Sequence, residues 1–267
     1  MGVMSAILSS MAKESPLRRV VEALGTLGLD AILELEKRDP QYIAVCRVWE
    51  AQGEEVCASL SMLNALVSYR LSGKGEEHWQ FFGDYFSRQR VTDVCTQFLA
   101  YLRASPFLKI GREARERRVR KVCGYRPNLE NLLETWRRMS ALLDVDPGQK
   151  TVVFAVKILN YVYRCSRGVE RVLPMEIPLP VDYRVAHLTW CAGLIDVPPD
   201  VAMRQYKAVQ AVWNTVAEVS GIPPLHIDTV LWLAGRILHG ENIHNIPLKI
   251  IDALLWREDC KRISRPR

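Results

Sequence analysis

Asp144-Val145-Asp146-Pro147-Gly148-Gln149-Lys150-Thr151 is the stretch that decides the fold, because helical patterns lie on both sides of it. Apolar residues recur at helical spacing over residues 129–143 before it and over residues 149–164 after it. Pro147-Gly148 is a turn-forming pair that can reverse the chain between the two segments. The stretch therefore predicts a helix, a tight turn and a second helix.

The turn of this hairpin can bind an anion, because the first N–H groups of a helix have no partners within it and the helix dipole is positive there. A phosphate group suits this position, with Gly148 and Gln149 as the contacting residues. The alternative is an ordinary structural joint, which is the more common role of such a turn.

Lys150 lies in the first turn of the second helix, where the dipole and any burial disfavour a charged ammonium. A neutral amine is the nucleophile required for attack on a sugar carbon or for a Schiff base. A surface lysine is the more common interpretation of Lys150 taken alone. Lys150, Phe154 and Lys157 share one helix face at i, i+4 and i+7.

The segment 152–159 is apolar on nearly all sides, which predicts a buried helix. Lys157 must then either meet a partner or a cavity, or extend its ammonium to solvent.

A second stretch, Pro180-Val181-Asp182-Tyr183-Arg184-Val185, precedes another helical pattern, so Asp182 is predicted to be an N-cap. A carboxylate at a helix N-terminus is held ionised, and near a sugar it can stabilise positive charge or accept a proton from an attacking amine. The structural and catalytic roles of Asp182 are compatible.

Asp228 and Trp232 form another i, i+4 pair near a predicted helix start. An aromatic face can stack on a nucleobase, and a carboxylate can accept from base N–H groups. A core tryptophan and a helix-start aspartate are the more common roles. Gln41 and Trp79, near other helix starts, show nothing distinctive by themselves.

The whole chain predicts an all-α fold, because alternating strand patterns are nearly absent. Capping signals are predicted to open the first helix at Ser15-Pro16 and the first helix of the hairpin at Asn128. The predicted helices outside the hairpin cover residues 16–37, 41–51, 54–71, 76–88, two segments within 91–121, 182–193, 199–220, 224–240 and a last segment from Pro247.

The chain has 36 Lys and Arg against 30 Asp and Glu, and this net charge of +6 indicates a polyanionic partner, nucleic acid before a membrane surface. In the basic segment 112–121 a solvated helix face is favoured over a phosphate-binding surface. No apolar run reaches eighteen residues, and residues 1–13 lack the basic start of a secretory signal, so we expect a soluble intracellular protein.

The seven cysteines are scattered singly, without the paired spacing of zinc sites or the four-cysteine run of an iron-sulfur cluster. We therefore expect buried thiols. Disulfides are the alternative if the source is a hyperthermophile. Neither a metal nor an organic cofactor is expected.

The two quoted stretches, taken in order, resemble the archaeal 8-oxoguanine DNA glycosylase family, AGOG, of the helix-hairpin-helix glycosylase superfamily. Residues 148–157 look like the lysine-bearing hairpin of the family, and residues 180–185 look like its aspartate motif. Many superfamily members have two glycines in the hairpin and a four-cysteine cluster, whereas this turn has only Gly148 and the sequence has no such cluster.

This resemblance implies a bifunctional enzyme that removes 8-oxoguanine from DNA and then cleaves the strand at the abasic site by β-elimination. Lys150 would be the Schiff-base nucleophile and Asp182 the catalytic carboxylate. Six positions match the base pocket of the family, with Phe154 and Trp232 flanking the extruded base: Gln41, Trp79, Phe154, Lys157, Asp228 and Trp232.

The resemblance also implies a two-lobed glycosylase fold with an active-site cleft between the lobes. Residues 72–193 would carry the hairpin, and residues 1–71 and 194–267 would form the second lobe. We expect a monomer that acts on 8-oxoguanine-containing DNA in the cytoplasm, at the nucleoid of a prokaryote, and not at a membrane. The alternatives are a related glycosylase for another damaged base and a non-catalytic helix-hairpin-helix DNA-binding protein.

Overall fold

The computed structural model describes residues 15–241 and 246–264. Within these residues every regular element is a helix, so the predicted all-α class is confirmed. The expectation for residues 1–13 lies outside the described part. The helices are α1 (Pro16–Glu36), α2 (Pro40–Gln52), α3 (Glu54–Val67), α4 (Gly75–Ser87), α5 (Val94–Ala104), α6 (Arg112–Val122), α7 (Leu132–Leu143), α8 (Lys150–Arg167), α9 (Tyr183–Cys191), α10 (Pro199–Arg204), α11 (Tyr206–Ser220), α12 (Pro224–Gly235), a 3-10 turn (Arg236–His239), α13 (Leu248–Leu254) and α14 (Glu258–Ser264).

None of the helices in the described ranges is long and apolar enough to cross a lipid bilayer.

The chain forms two compact units, Glu36–Pro174 and a second unit that joins Met1–Leu35 to Met175–Arg267. The sequence-based division also built one lobe from both chain ends, but it placed the boundaries after residues 71 and 193. The positions differ because α2 and α3 pack against α8, whereas α9 packs against α12. The hairpin helix α8 and the helix that follows Asp182 therefore belong to different units.

Helix α8 is the centre of the unit Glu36–Pro174, and 13 of its 18 residues are buried, as the apolar segment 152–159 predicts. Near its C-terminal end the buried Arg164 guanidinium pairs with the fully buried carboxylate of Glu36. Arg164 also pairs with Glu170 at 2.6 Å. This ion-pair cluster fixes the start of the unit to its central helix.

Glu36→Ala is expected to lower the free energy of unfolding by about 3 kcal/mol, because the charge of Arg164 stays buried while one of its partners is lost. Denaturant titration at neutral pH measures this change. The control is Glu116→Ala, which removes a solvent-accessible pair with Arg103 and is expected to have a much smaller effect. Equal losses in the two variants would contradict a large contribution from the buried pair.

In the unit of both chain ends, the core is built mainly from α1, α9, α11, α12 and α13. Trp213 of α11 is fully buried, and its Nε1 donates to Thr189 Oγ1 of α9 at 2.8 Å. Gly235 ends α12 so close to α9 that a β-carbon on it would lie 2.1 Å from Arg184 Cδ. This packing fixes the position of α9, which begins directly after Asp182.

Several helix boundaries differ from those predicted. Helix α1 begins at the predicted serine cap but has a kink at Gly28, where φ is 74°. The N-cap of α7 is Asn131, because the Asn128 side chain instead accepts from the N–H groups of residues 130 and 131 and forms a turn. The predicted helix 199–220 is divided at Gln205, and the signals in the sequence do not predict α14.

The expectation of buried thiols is wrong for six of the seven cysteines, which form three disulfides: Cys46–Cys165, Cys95–Cys123 and Cys191–Cys260. The paired residues are 119, 28 and 69 positions apart, so no local spacing reveals them. Folding brings their Cα atoms to 5.3, 5.2 and 5.8 Å, within the normal disulfide range. Cys57 is a buried thiol as expected, and burial raises its pKa to about 12.

Candidate active site

The hairpin joins α7 to α8 through a tight turn, as the sequence predicts. Asp144 ends α7 in the left-handed conformation with φ of 55°. Asp146 Oδ1 then accepts from the Gly148 N–H at 2.8 Å, and the Asp146 carbonyl accepts from the Gln149 N–H at 3.0 Å. These two amides donate within the turn in this structure, and their binding of phosphate stays a prediction.

Lys150 lies in the first turn of α8, as predicted, where it is the first residue of the helix and is half-buried. Among the described residues, the N-cap residue Gln149 makes no capping hydrogen bond with its side chain. Arg118 of α6 approaches from the side: its Nη2 donates to Gln149 Oε1 at 3.0 Å and to Thr151 Oγ1 at 2.8 Å. The residues on both sides of Lys150 are thereby held by one guanidinium group.

Four of the six predicted pocket residues lie on α2, α4 and α8, which contact one another. Trp79 of α4 is buried, and its ring meets that of Phe154 of α8 edge to face, with the centroids 6.0 Å apart. Gln41 of α2 has a buried Oε1 atom that receives no hydrogen bond from the described residues. A buried acceptor without a donor is costly, and it is understandable where a ligand supplies the donor.

Lys157 is only 2% exposed, so its ammonium does not extend to solvent, and the buried alternative is correct. Its charge acts on the buried carboxylate of Asp39, which caps α2. Asp39 accepts from the Gln41 N–H at 2.9 Å and from the Tyr161 hydroxyl at 3.1 Å. Burial raises the pKa of Asp39 to about 6, while the Lys157 charge and these hydrogen bonds oppose the rise and Glu36 adds to it.

Asp182, in the unit of both chain ends, is the N-cap of α9 as predicted, and its Oδ1 accepts from the Val185 N–H at 3.0 Å. This hydrogen bond fixes the orientation of the carboxylate. An open cavity of about 450 Å³ adjoins it, lined by Asp182, Tyr183, Arg184, His187 and Leu238. A ligand in this cavity can reach an oriented carboxylate.

The last two predicted pocket residues lie one turn apart on α12. Asp228 is 9% exposed, and Trp232 is half-buried with the Arg236 guanidinium 5.6 Å from its ring centroid. Arg236 also pairs with Glu241 at 2.6 Å. The i, i+4 spacing places Asp228 and Trp232 on one face of the helix, as expected from the sequence.

The family model AGOG, described as N-glycosylase/DNA lyase, matches residues 21–259 of the chain. The chain belongs to this family. The resemblance inferred from the hairpin and the aspartate motif is therefore confirmed.

Relatives named N-glycosylase/DNA lyase match most of the chain. An N-glycosylase/DNA lyase of Pyrobaculum aerophilum is 59% identical over 94% of this chain and 98% of the relative, and one of Aeropyrum pernix is 34% identical over 81% of each. The crystal structure of 8-oxoguanosine-complexed Pa-AGOG, 8-oxoguanine DNA glycosylase from Pyrobaculum aerophilum, superimposes with a TM-score of 0.89, covering 92% of this chain and 98% of that one. The solved AGOG structure thus confirms the predicted fold class.

In this AGOG chain, one group of potential metal ligands is present among the described residues: His187, Cys191 and Cys260. The two cysteines are joined in a disulfide, which occupies the sulfur atoms that a metal would need. We therefore assign these cysteines a structural role that fixes the C-terminal end of α9.

Three residues near the AGOG site residues were not predicted from the sequence: Asp39, which accepts from the Gln41 N–H, Tyr161, which donates to Asp39, and Arg118, which donates to Gln149. Asp39 followed by proline is a recognisable helix start, but the signal does not show that its carboxylate faces α8. The hydrogen bond between Asp39 and Tyr161 spans 122 positions, and that between Arg118 and Thr151 spans 33. Only the packed structure reveals such contacts.

Asp39 is expected to make stability depend on pH. Its pKa is raised from 3.8 to about 6, so between these values the folded state keeps a proton that the unfolded state has released. Its contribution to the free energy of unfolding is therefore largest below pH 4 and decreases as the pH rises through 6. Asp39→Asn keeps a capping side chain and should remove this decrease. Denaturant unfolding of both proteins from pH 4 to 7 measures it, and identical pH dependence would contradict the assignment.

Proposed function

We propose that this AGOG family member excises 8-oxoguanine from DNA and then cleaves the strand at the abasic site through a Schiff base on Lys150. The similarity to the 8-oxoguanine DNA glycosylase of Pyrobaculum aerophilum carries this proposal, because it extends over 98% of that chain. The position of Lys150 at the start of α8, on the same helix as Phe154 and Lys157, supports it.

In the proposed reaction the Lys150 amine attacks C1′ of the damaged nucleotide, and the bond between C1′ and N9 breaks as the base leaves and takes up a proton. The Asp182 carboxylate stabilises positive charge on the sugar and accepts the proton that the amine loses. Its hydrogen bond from the Val185 N–H holds it in a fixed orientation for both tasks.

Strand cleavage follows from the covalent intermediate. The sugar ring opens to give a Schiff base between Lys150 and C1′, a proton is lost from C2′, and the 3′ phosphate departs by β-elimination. Water then hydrolyses the Schiff base and releases Lys150. The sequence of steps requires neither a metal nor an organic cofactor.

We assign recognition of the extruded base to side chains that can stack on it or pair with its polar edge. Phe154 and Trp232 supply aromatic faces, and the buried Oε1 of Gln41 can accept from a base N–H. Lys157 and Asp228 supply a donor and an acceptor, and Trp79 supports the Phe154 ring. Gly148 and Gln149 are proposed to approach a DNA phosphate at the hairpin.

The substrate is tested with matched duplexes that carry 8-oxoguanine, guanine, uracil or hypoxanthine at one position. We expect base release and strand cleavage only from the 8-oxoguanine duplex, measured by chromatography of the free base and by gel. Preferential release of another base would identify a related glycosylase. Binding without release from any duplex would indicate a non-catalytic DNA-binding protein.

We further propose that the protein acts as a monomer on DNA in the cytoplasm.

A further inference from the structure

Arg118 differs in its burial from the neighbouring basic residues of α6. The neighbouring Arg117 and Arg120 are exposed, as expected for a solvated basic helix, whereas Arg118 is half-buried. Its guanidinium is directed to the start of α8, which the sequence did not predict. Arg118 therefore does not belong to the solvated face that was expected for this segment.

Arg118 donates hydrogen bonds to the residues immediately before and after Lys150 in the chain. One nitrogen, Nη2, donates to Gln149 Oε1 at 3.0 Å and to Thr151 Oγ1 at 2.8 Å. Thr151 is buried, and Gln149 is the N-cap of α8, so both acceptors belong to the rigid start of the helix. Lys150 lies between these two acceptors in the chain, at the first position of α8.

The arrangement carries costs for stability beside its two hydrogen bonds. A cation at a helix N-terminus opposes the helix dipole, and the half-buried position of Arg118 partly desolvates its charge and lowers its pKa. The buried Nε atom also has no acceptor among the described residues. A neutral capping side chain would fix the helix start without these costs.

We propose that Arg118 is a positioning residue for Lys150: by holding Gln149 and Thr151 it directs the amine towards C1′ of the substrate. This inference rests on the proposed function of Lys150. Since the same amine acts on the damaged nucleotide and on a preformed abasic site, Arg118 serves both reactions. A displacement of about 1 Å in a reacting group can reduce a rate about 100-fold.

The test uses single-turnover rates with saturating protein on an 8-oxoguanine duplex and on a duplex with a preformed abasic site. The variants are Arg118→Ala, Thr151→Val and the double variant, with Arg117→Ala as the exposed control from the same helix. Duplex dissociation constants and thermal midpoints are measured for each. Lys150→Gln is included to test the underlying function separately.

Arg118→Ala is expected to slow both reactions about 10- to 100-fold while the duplex dissociation constant changes less than about threefold. Thr151→Val is expected to slow them less, and the double variant should be about as slow as Arg118→Ala, because the two residues share one contact. Arg117→Ala should retain the original rates.

Unchanged rates in Arg118→Ala would overturn the proposal, and so would a loss of duplex binding as large as the loss of rate, which would make Arg118 a DNA contact. If the slowing of Arg118→Ala disappears at temperatures well below its thermal midpoint, the slowing reflects unfolding. That result would also overturn the proposal. Activity retained by Lys150→Gln would instead refute the proposed function.

Discussion

Lys150→Gln is expected to reduce the single-turnover rate of 8-oxoguanine release at least about 1000-fold and to abolish strand cleavage. The glutamine amide nitrogen is not nucleophilic, so neither the attack on C1′ nor the Schiff base can form. The fold should remain, because glutamine is a good helix former and Lys150 is the half-buried first residue of α8. Quenched-flow or manual time courses with excess protein measure the rate.

The matched control for this substitution is Lys109→Gln, which removes the same charge from an exposed position. It should keep the rate of the original protein. Duplex affinity should be nearly unchanged in both variants. An equal loss of rate and affinity in Lys150→Gln would make Lys150 a binding residue and would contradict its role as nucleophile.

Asp182→Asn is expected to slow base release by about 1000-fold with nearly normal duplex binding, because the amide can neither accept the proton of the amine nor stabilise positive charge on the sugar. Asparagine caps helices as well as aspartate does, so the hydrogen bond to the Val185 N–H should persist. The substitution therefore separates the catalytic role of Asp182 from its structural role. Single-turnover release and equilibrium binding are measured on the same duplex.

Asp93→Asn is the matched control for Asp182→Asn. Asp93 caps α5 by accepting from the N–H groups of Cys95 and Thr96, and its side chain is exposed. This variant should release the base at the original rate. If Asp182→Asn releases the base as fast as Asp93→Asn does, Asp182 takes no part in catalysis and serves only as a helix cap.

Local signals in the sequence were sufficient to predict the elements that carry the candidate catalytic residues. Pro147 and Gly148 mark the hairpin turn, and the apolar run after Lys150 marks the buried helix α8. Asp182 after a proline, with helical spacing behind it, marks an N-cap that the structure contains. Each signal depends on a few consecutive residues, whose conformation is governed by short-range sterics and hydrogen bonds.

Contacts between distant segments could not be predicted from such local signals. The sequence left open whether the Lys157 ammonium is buried or reaches solvent. Its electrostatic partner Asp39 and the hydrogen bond of that carboxylate with Tyr161 depend on how α2 packs against α8. The unpaired buried acceptor of Gln41 depends on the same packing.

The disulfides and the unit boundaries have the same origin in long-range packing. Cys46 and Cys165 lie on α2 and α8, whose contact also assigns the segment after Glu36 to the unit of the hairpin. A single sequence shows scattered cysteines and helical segments, but it does not show which helix faces pack together and therefore which cysteines meet. The start of α7 shows a local limit as well, since the predicted cap Asn128 forms a turn with residue 130 and Asn131 caps the helix.

The central claim is that Lys150 forms a covalent intermediate with DNA. The most direct measurement is incubation of the protein with an 8-oxoguanine duplex in the presence of borohydride, which reduces a Schiff base to a permanent bond. We expect a stable protein–DNA crosslink, mapped to Lys150 by mass spectrometry of the digested product and missing in Lys150→Gln. Absence of a crosslink from a protein that releases the base, or a crosslink on another residue, would contradict the account.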